Sequence, residues 1–206
     1  GKILLGGDFT QFNGVAASYL VRLNADGTRD TSFTATVDWV IDVIAVQPDG
    51  KILIGGAFTK VNGGTANRIA RLNANGTTDT TFATGVGAGF DDEVFTLAVQ
   101  PDGMILVGGI FTKYQNAAPS YIARLRSDGT KDTTFATNVG AGFNADVWAI
   151  GVQSTGKIVV GGQFNQVNGV TRNNIARLNA DGTLDNTFNP NADAYVQALA
   201  IDGNGK

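Results

Sequence analysis

The chain has 206 residues, with 15 Lys and Arg against 18 Asp and Glu, a net charge of −3, and neither Cys nor His. Those two zeros exclude disulfides, thiolate nucleophiles, zinc fingers and any Ser-His-Asp triad or imidazole base within the chain. The acidic balance argues against nucleic acid, which demands a basic surface, and no apolar run approaches the roughly 20 residues that span a bilayer.

Taken from its start, the chain opens on Gly1-Lys2-Ile3-Leu4-Leu5-Gly6-Gly7-Asp8-Phe9-Thr10. This block returns at Gly50, Gly103 and Gly156, and Gly205-Lys206 begins it a fifth time. A second block, Leu20 to Thr28, returns at Ile69, Ile122 and Ile175. A third, Val43 to Gly50, returns from Thr96, Ala149 and Ala198. The spacings of 49, 53, 53 and 49 residues define repeat units 1–49, 50–102, 103–155 and 156–204 of a single domain. An opening at Gly1-Lys2, without Met or signal peptide, is what a mature or trimmed piece of a larger protein would show.

Within a unit the spacing predicts four short strands. The first ends at Val46-Gln47 and turns at Pro48-Asp49-Gly50, where Pro fixes φ and Gly accepts a positive φ. The second is Lys51 to Phe58 and the third Arg68 to Asn73. Asn75-Gly76 closes a hairpin to a short fourth strand around Asp79 to Phe82. Gly and β-branched residues are dense and no helical spacing persists, so no helix is expected. Ile52-Leu53-Ile54 is apolar on both faces, as a strand covered on both sides must be. The Gly55-Gly56 pair, repeated at 6–7, 108–109 and 161–162, removes side chains where backbones approach; no helix follows to make it a phosphate site.

Four strands in roughly 50 residues make one blade of a β-propeller. The expected fold is all-β: a four-bladed propeller of four-stranded antiparallel blades, circularly closed, or a four-blade segment of a longer one. The phase leaves the first blade without its first strand. A strand at about 194–202 is expected to complete it by pairing with Lys2–Phe9.

The blocks Ile52 to Phe58, Ile69 to Asn73 with Gly76-Thr77 and Asp79, and Ala98 to Gly103 resemble the bacterial delta-60 repeat, a β-propeller-like repeat. The resemblance covers the whole chain four times. It implies a secreted, cell-surface or phage-fibre-like protein and no catalytic residues. Ser154-Thr155-Gly156 replaces Pro-Asp-Gly, and Tyr114-Gln115-Asn116-Ala117 replaces the Val61-Asn62-Gly63 loop; both bear on local turns, not on the fold.

Internal comparison separates scaffold from variable positions. Arg22, Arg71, Arg124 and Arg177 form one column, and Asp30, Asp79, Asp132 and Asp185 another. An Arg–Asp pair tying strands three and four is favoured over a ring of arginines for an anion. The Asn24-x-Asp26-Gly27-Thr28-x-Asp30 turns resemble a calcium loop, but the Gly falls at position 4 and no Glu follows, so a hairpin turn is the better reading and calcium stays open. Asp91-Asp92-Glu93, with Asp146 and Asp193 nearby, suits either solvated loop charge or a carboxylate pair acting on sugars.

The turns after strands one and three share one face and hardly vary. The loops after strands two and four share the other and do. They carry a column reading Trp39, Glu93, Asp146 and Tyr195, and two residues on Ile41, Phe95, Trp148 and Gln197, with Phe12 and Tyr114 in loop two-three. Aromatic faces beside amides and acids suit sugars. For Trp148 and Phe95, packing between blades is an equal alternative. The expected function is a non-enzymatic extracellular recognition or structural module for a surface glycan or partner protein, within a larger protein or assembly. It is expected to bind no cofactor, no nucleic acid and no membrane. A polysaccharide-acting enzyme and an architectural spacer are the rivals.

Overall fold

The computed structural model describes residues 1–117, 121–203 and 205, so Lys206 of the fifth repeat start lies outside the described residues. The first unit holds β1 (Ile3–Gly6), β2 (Gln11–Phe12), β3 (Val15–Ala16) and β4 (Leu20–Leu23). Then come β5 (Ile41–Val46), β6 (Ile52–Gly56), β7 (Lys60–Val61), β8 (Gly64–Thr65), β9 (Ile69–Leu72) and α1 (Thr80–Val86). The third unit's elements are β10 (Val94–Val99), β11 (Ile105–Gly109), β12 (Ile122–Leu125) and α2 (Thr133–Val139). Last are β13 (Val147–Val152), β14 (Ile158–Gly162), β15 (Gln166–Val167), β16 (Val170–Thr171) and β17 (Ile175–Leu178).

The strands form antiparallel blades: β1-β4 in blade 1, β5-β6-β9 in blade 2, β10-β11-β12 in blade 3 and β13-β14-β17 in blade 4. In blade 2, Ile54 stands between Ile44 and Ala70. Every residue of β6, β11 and β14 is buried, because β6 and β11 have a blade on either side and β14 has blade 3 on one side and the segment around Val196 on the other. The core of the described residues is three slabs between successive blades and a smaller cluster of Ala17, Val21 and Leu23 in blade 1. The slab between blades 2 and 3, for example, joins Leu53 and Ile69 to Ile105, Phe111 and Leu125.

The glycine pair does two different things. A Cβ on Gly55 or Gly108 would lie 2.6 or 2.5 Å from Val94 or Val147 of the next blade. A Cβ on Gly56, Gly109 or Gly162 would lie 2.3, 2.0 or 2.0 Å from the carbonyl oxygen of Val40, Glu93 or Asp146, at the entry to its own blade's first strand. The register shifts there, between Val94 and Thr96 in blade 3, so the second glycine admits a bulge.

Two expectations are corrected. The fourth strand shrinks to single bridges such as Leu72↔Thr78. Beyond it, in the two 53-residue units, Asp79 and Asp132 cap short helices; Asp79 Oδ1 accepts from the Thr81 and Phe82 amides at 3.1 and 3.3 Å. Phe82 and Val86, one turn apart, bury against the core. Two apolar residues are too few to announce a helix by periodicity. The loop after strand two also carries structure of its own. The hairpins β2–β3, β7–β8 and β15–β16 turn on Asn-Gly tips, and Asn62 and Gly63 take the φ of 52° and 77° that a type I′ turn requires.

Among the described residues β1 pairs with β4, and its expected pairing with residues 194–202 is not among the pairings. That segment packs on blade 4, where the Val196 amide donates to the Gly162 carbonyl at 3.1 Å. Val196 meets Gly161 as Val147 meets Gly108 and Val94 meets Gly55. Residues 195–201 thus occupy the place of the next blade's first strand.

Candidate functional site on the variable face

The contacts of the glycine pairs align the blade entries. Ile41, Val94, Val147 and Val196 form one column. The residues before them are Val40, Glu93, Asp146 and Tyr195, and the residues after are Asp42, Phe95, Trp148 and Gln197. Trp39 and Ile41 therefore stand one place out of the columns assigned from sequence. The first strands β5, β10 and β13 are all six residues long, so counting back from their ends at Val46, Val99 and Val152 gives Val40, Glu93 and Asp146. The sequence alignment sets the first unit one residue out, and the four-residue-shorter crossover before it is not the cause. The same offset hid Asp42, the acidic member of the Phe95–Trp148 column.

The aromatic residues gather in two pairs. Tyr195 is 58% exposed and stands edge-on to Trp148, with ring centroids 5.3 Å apart. Trp39 is 56% exposed and leans on Tyr19 at 5.9 Å. A cavity of about 300 Å3 lies against Trp39, between Asp38, Ala57 and Thr59. A more polar one, about 350 Å3, is bordered by Asn67, Arg68, Asp91 and Lys113. Phe95 and Trp148 are half-buried. A cavity of about 660 Å3 lies on the opposite face, between the turns at Pro48 and Pro101 and beside Lys51, Arg71 and Ser127.

Two expected site residues belong to the scaffold. Tyr114 is fully buried, its ring 4.5 Å from Phe90 and its hydroxyl donating to the Gly129 carbonyl. It stands in the column of the buried Val61 and Val167, so it faces the core. Burial drives its phenol pKa upward. Phe12 is partly buried and packs against Ala17, Val21 and Leu23.

The loop acids divide. Asp91 accepts from the Thr112 and Lys113 amides at 2.9 and 2.8 Å and from the Thr112 hydroxyl at 2.8 Å. Burial pushes its carboxyl up, but these bonds outweigh it and hold the pKa below the usual range. Asp38 clasps Thr59 and Lys60 the same way, so both fasten the crossover to the loop. Asp92 accepts from the Glu93 amide at 2.9 Å. Glu93 and Asp146 are half-buried at their blade entries. Asp42 differs: its surface is exposed, yet the partial desolvation of its carboxyl by the surrounding chain and then the charge of Glu93 raise its pKa. The calcium-like turns spend their oxygens internally, Asp26 Oδ1 accepting from the Thr28 amide and hydroxyl at 3.0 and 2.7 Å.

A family model described as "Domain of unknown function (DUF5122) beta-propeller" matches residues 1–33, 47–82, 100–135 and 153–188. No curated protein matches the chain. A solved structure, a protein of unknown function from Bacteroides caccae, is similar over 80% of this chain and 72% of its own, at 11% identity and a TM-score of 0.34.

Proposed function

The chain belongs to the DUF5122 beta-propeller family, and from that premise we propose that it is a non-enzymatic extracellular recognition module, binding a surface glycan or partner protein through its variable face. The observation that carries the reading is the pair of half-exposed rings, Trp39 and Tyr195, each held by a second ring. A ring fixed against a neighbour loses little freedom on binding and offers an apolar face to the C–H surface of a sugar. The resemblance to delta-60 repeats supports a secreted, cell-surface or virion setting. A glycan array read with the whole chain tests this reading, with Trp39→Ala and Tyr195→Ala as controls. Binding lost in either variant supports it; no binding to glycans or to surface proteins favours an architectural spacer.

One observation favours a second reading. The pKa of Asp42 is raised by partial desolvation and then by the charge of Glu93, and a carboxyl so shifted is a candidate acid for a polysaccharide-acting enzyme. Release of reducing ends from a polysaccharide panel, lost in Asp42→Asn and Glu93→Gln, would replace the first reading with this one.

A further inference from the structure

The outer edge of blade 2 carries a groove of about 260 Å3 between the β7–β8 hairpin, β9 and α1. Ala66, Thr78, Thr80 and Ala83 are among its walls. The other blades show what belongs over this place. In blade 4 the residue corresponding to Ala66 is Arg172, which is only 6% exposed. Its Nη1 donates to the Thr171 carbonyl at 2.7 Å and its Nη2 to Asn186 Oδ1 at 3.0 Å. Asn186 corresponds to Thr80, so Arg172 spans the same two walls. In blade 1 a guanidinium reaches the same carbonyl from another column: Arg29 Nη1 lies 2.8 Å from the oxygen of Ala16, the counterpart of Thr171. In blade 3 the column of Arg29 holds Lys131, partly buried and with its ammonium pKa lowered by that burial. Blade 2 has short neutral residues in both columns, Ala66 and Thr78. Arg71 borders the groove, but it is paired with Asp79 as Arg177 is with Asp185, and it is no bar to a second cation.

We propose that this groove binds an arginine side chain supplied by a partner polypeptide. The aliphatic stem lies along Ala66 and Ala83, and the guanidinium bonds the Thr65 carbonyl and the Thr80 hydroxyl, as Arg172 bonds Thr171 and Asn186. The site is separate from the aromatic face and stands or falls independently of it.

The test is titration of the methyl-labelled whole chain with N-acetyl-arginine amide, followed by NMR. Saturable shifts are expected at Ala66, Thr65, Thr80 and Ala83. Binding of N-acetyl-norleucine amide should be about tenfold weaker or worse, as the loss of hydrogen bonds to a charged group requires. Ala66→Arg, which places the guanidinium as blade 4 does, should abolish the shifts while other methyl signals stay in place. Thr80→Val, which keeps shape and removes the acceptor, should weaken binding about tenfold even if Ala66→Arg fails to fold. The proposal is overturned by absence of saturable shifts, by equal binding of the norleucine amide, by shifts that persist in a folded Ala66→Arg, or by unchanged affinity in Thr80→Val.

Discussion

Arg71 joins its own blade to the next: its Nε donates to Asp79 Oδ2 at 2.9 Å, and its Nη1 donates to the carbonyl of Ser127, in the hairpin turn of blade 3, at 2.5 Å. The guanidinium also lies over the Phe82 ring, 4.5 Å from its centroid. Arg22 and Arg124 repeat the arrangement, reaching the carbonyls of Ala74 and Ala180. The columns of arginine and aspartate are thus a clasp between repeats, and the sequence reading of an Arg–Asp pair in each blade holds in all four.

The clasp makes stability depend on acid pH. Burial raises the Asp79 carboxyl, but Lys51, the Phe82 amide and Arg71 outweigh it and lower the pKa to about 2. Hydroxyl and lysine bonds hold Asp30 and Asp185 well below the usual range. A depressed folded pKa gives stability that is full above the unfolded value of about 3.9 and is lost as pH falls through the folded one. The thermal midpoint should therefore be flat from neutral pH to about 4.5 and fall steeply between about 4 and 2. In Asp79→Asn that acid slope should be shallower; an unchanged slope would show that the clasp does not govern it.

Blade 3 lacks one member of the clasp. Lys2, Lys51 and Lys157 each reach the blade's aspartate at 3.0, 2.8 and 2.7 Å, while Met104 stands in that column. Met104→Lys should add the missing contact to Asp132 and stabilise by about 0–1 kcal/mol. Chemical denaturation at low and high salt checks it: a gain should shrink as salt rises.

The second glycine of each pair gives a contrast within one chain. In Gly109→Ala the new Cβ would meet the Glu93 carbonyl at 2.0 Å, an overlap only backbone movement relieves; about 1–3 kcal/mol or more should be lost. Gly7 is the counterpart in blade 1, where among the described residues β1 pairs with β4 alone and the nearest atom to a Cβ on Gly7 belongs to Phe9, at 3.5 Å. Gly7→Ala should cost little. If it proves as damaging as Gly109→Ala, a first strand covers β1 in solution and the ring is closed.

Most of the scaffold was legible because repetition is itself a signal. Pro48-Asp49-Gly50 and Asn75-Gly76 fixed the hairpin turns, and uninterrupted apolar runs such as Ile52-Leu53-Ile54 marked strands buried on both faces. What escaped detection lay where the units differ. Helices α1 and α2 rest on one capping Asp and two apolar residues a turn apart, below the threshold of any periodicity. A one-residue misalignment of the first unit put Trp39 in the column of Glu93 and concealed Asp42, whereas counting back the six residues of β5 and β10 places Val40 and Asp42 in the columns of Glu93 and Phe95. Tyr114 looked like a loop residue because its neighbours break the Asn-Gly pattern, yet its own column is core in blades 2 and 4.

The last expectation separates the two kinds of column. Phe58 is fully buried between blades 1 and 2, and Phe58→Ala should cost about 3–5 kcal/mol. Trp39 and Tyr195 keep more than half of their surface in solvent, so Trp39→Ala and Tyr195→Ala should change stability by no more than about 0.5 kcal/mol. Each gives up contact with one ring only among its ring neighbours, Tyr19 or Trp148. If the variable face is a recognition surface, each loss should weaken binding to a glycan or protein hit by about 2 kcal/mol, the size of an interface hot spot. Because the two rings stand in different columns and beside different partners, the two variants should change ligand preference differently. Thermal melts beside binding isotherms on the same preparations decide it. Variants that unfold, or that melt and bind like the parent, would remove these rings from the site and leave the propeller as a spacer.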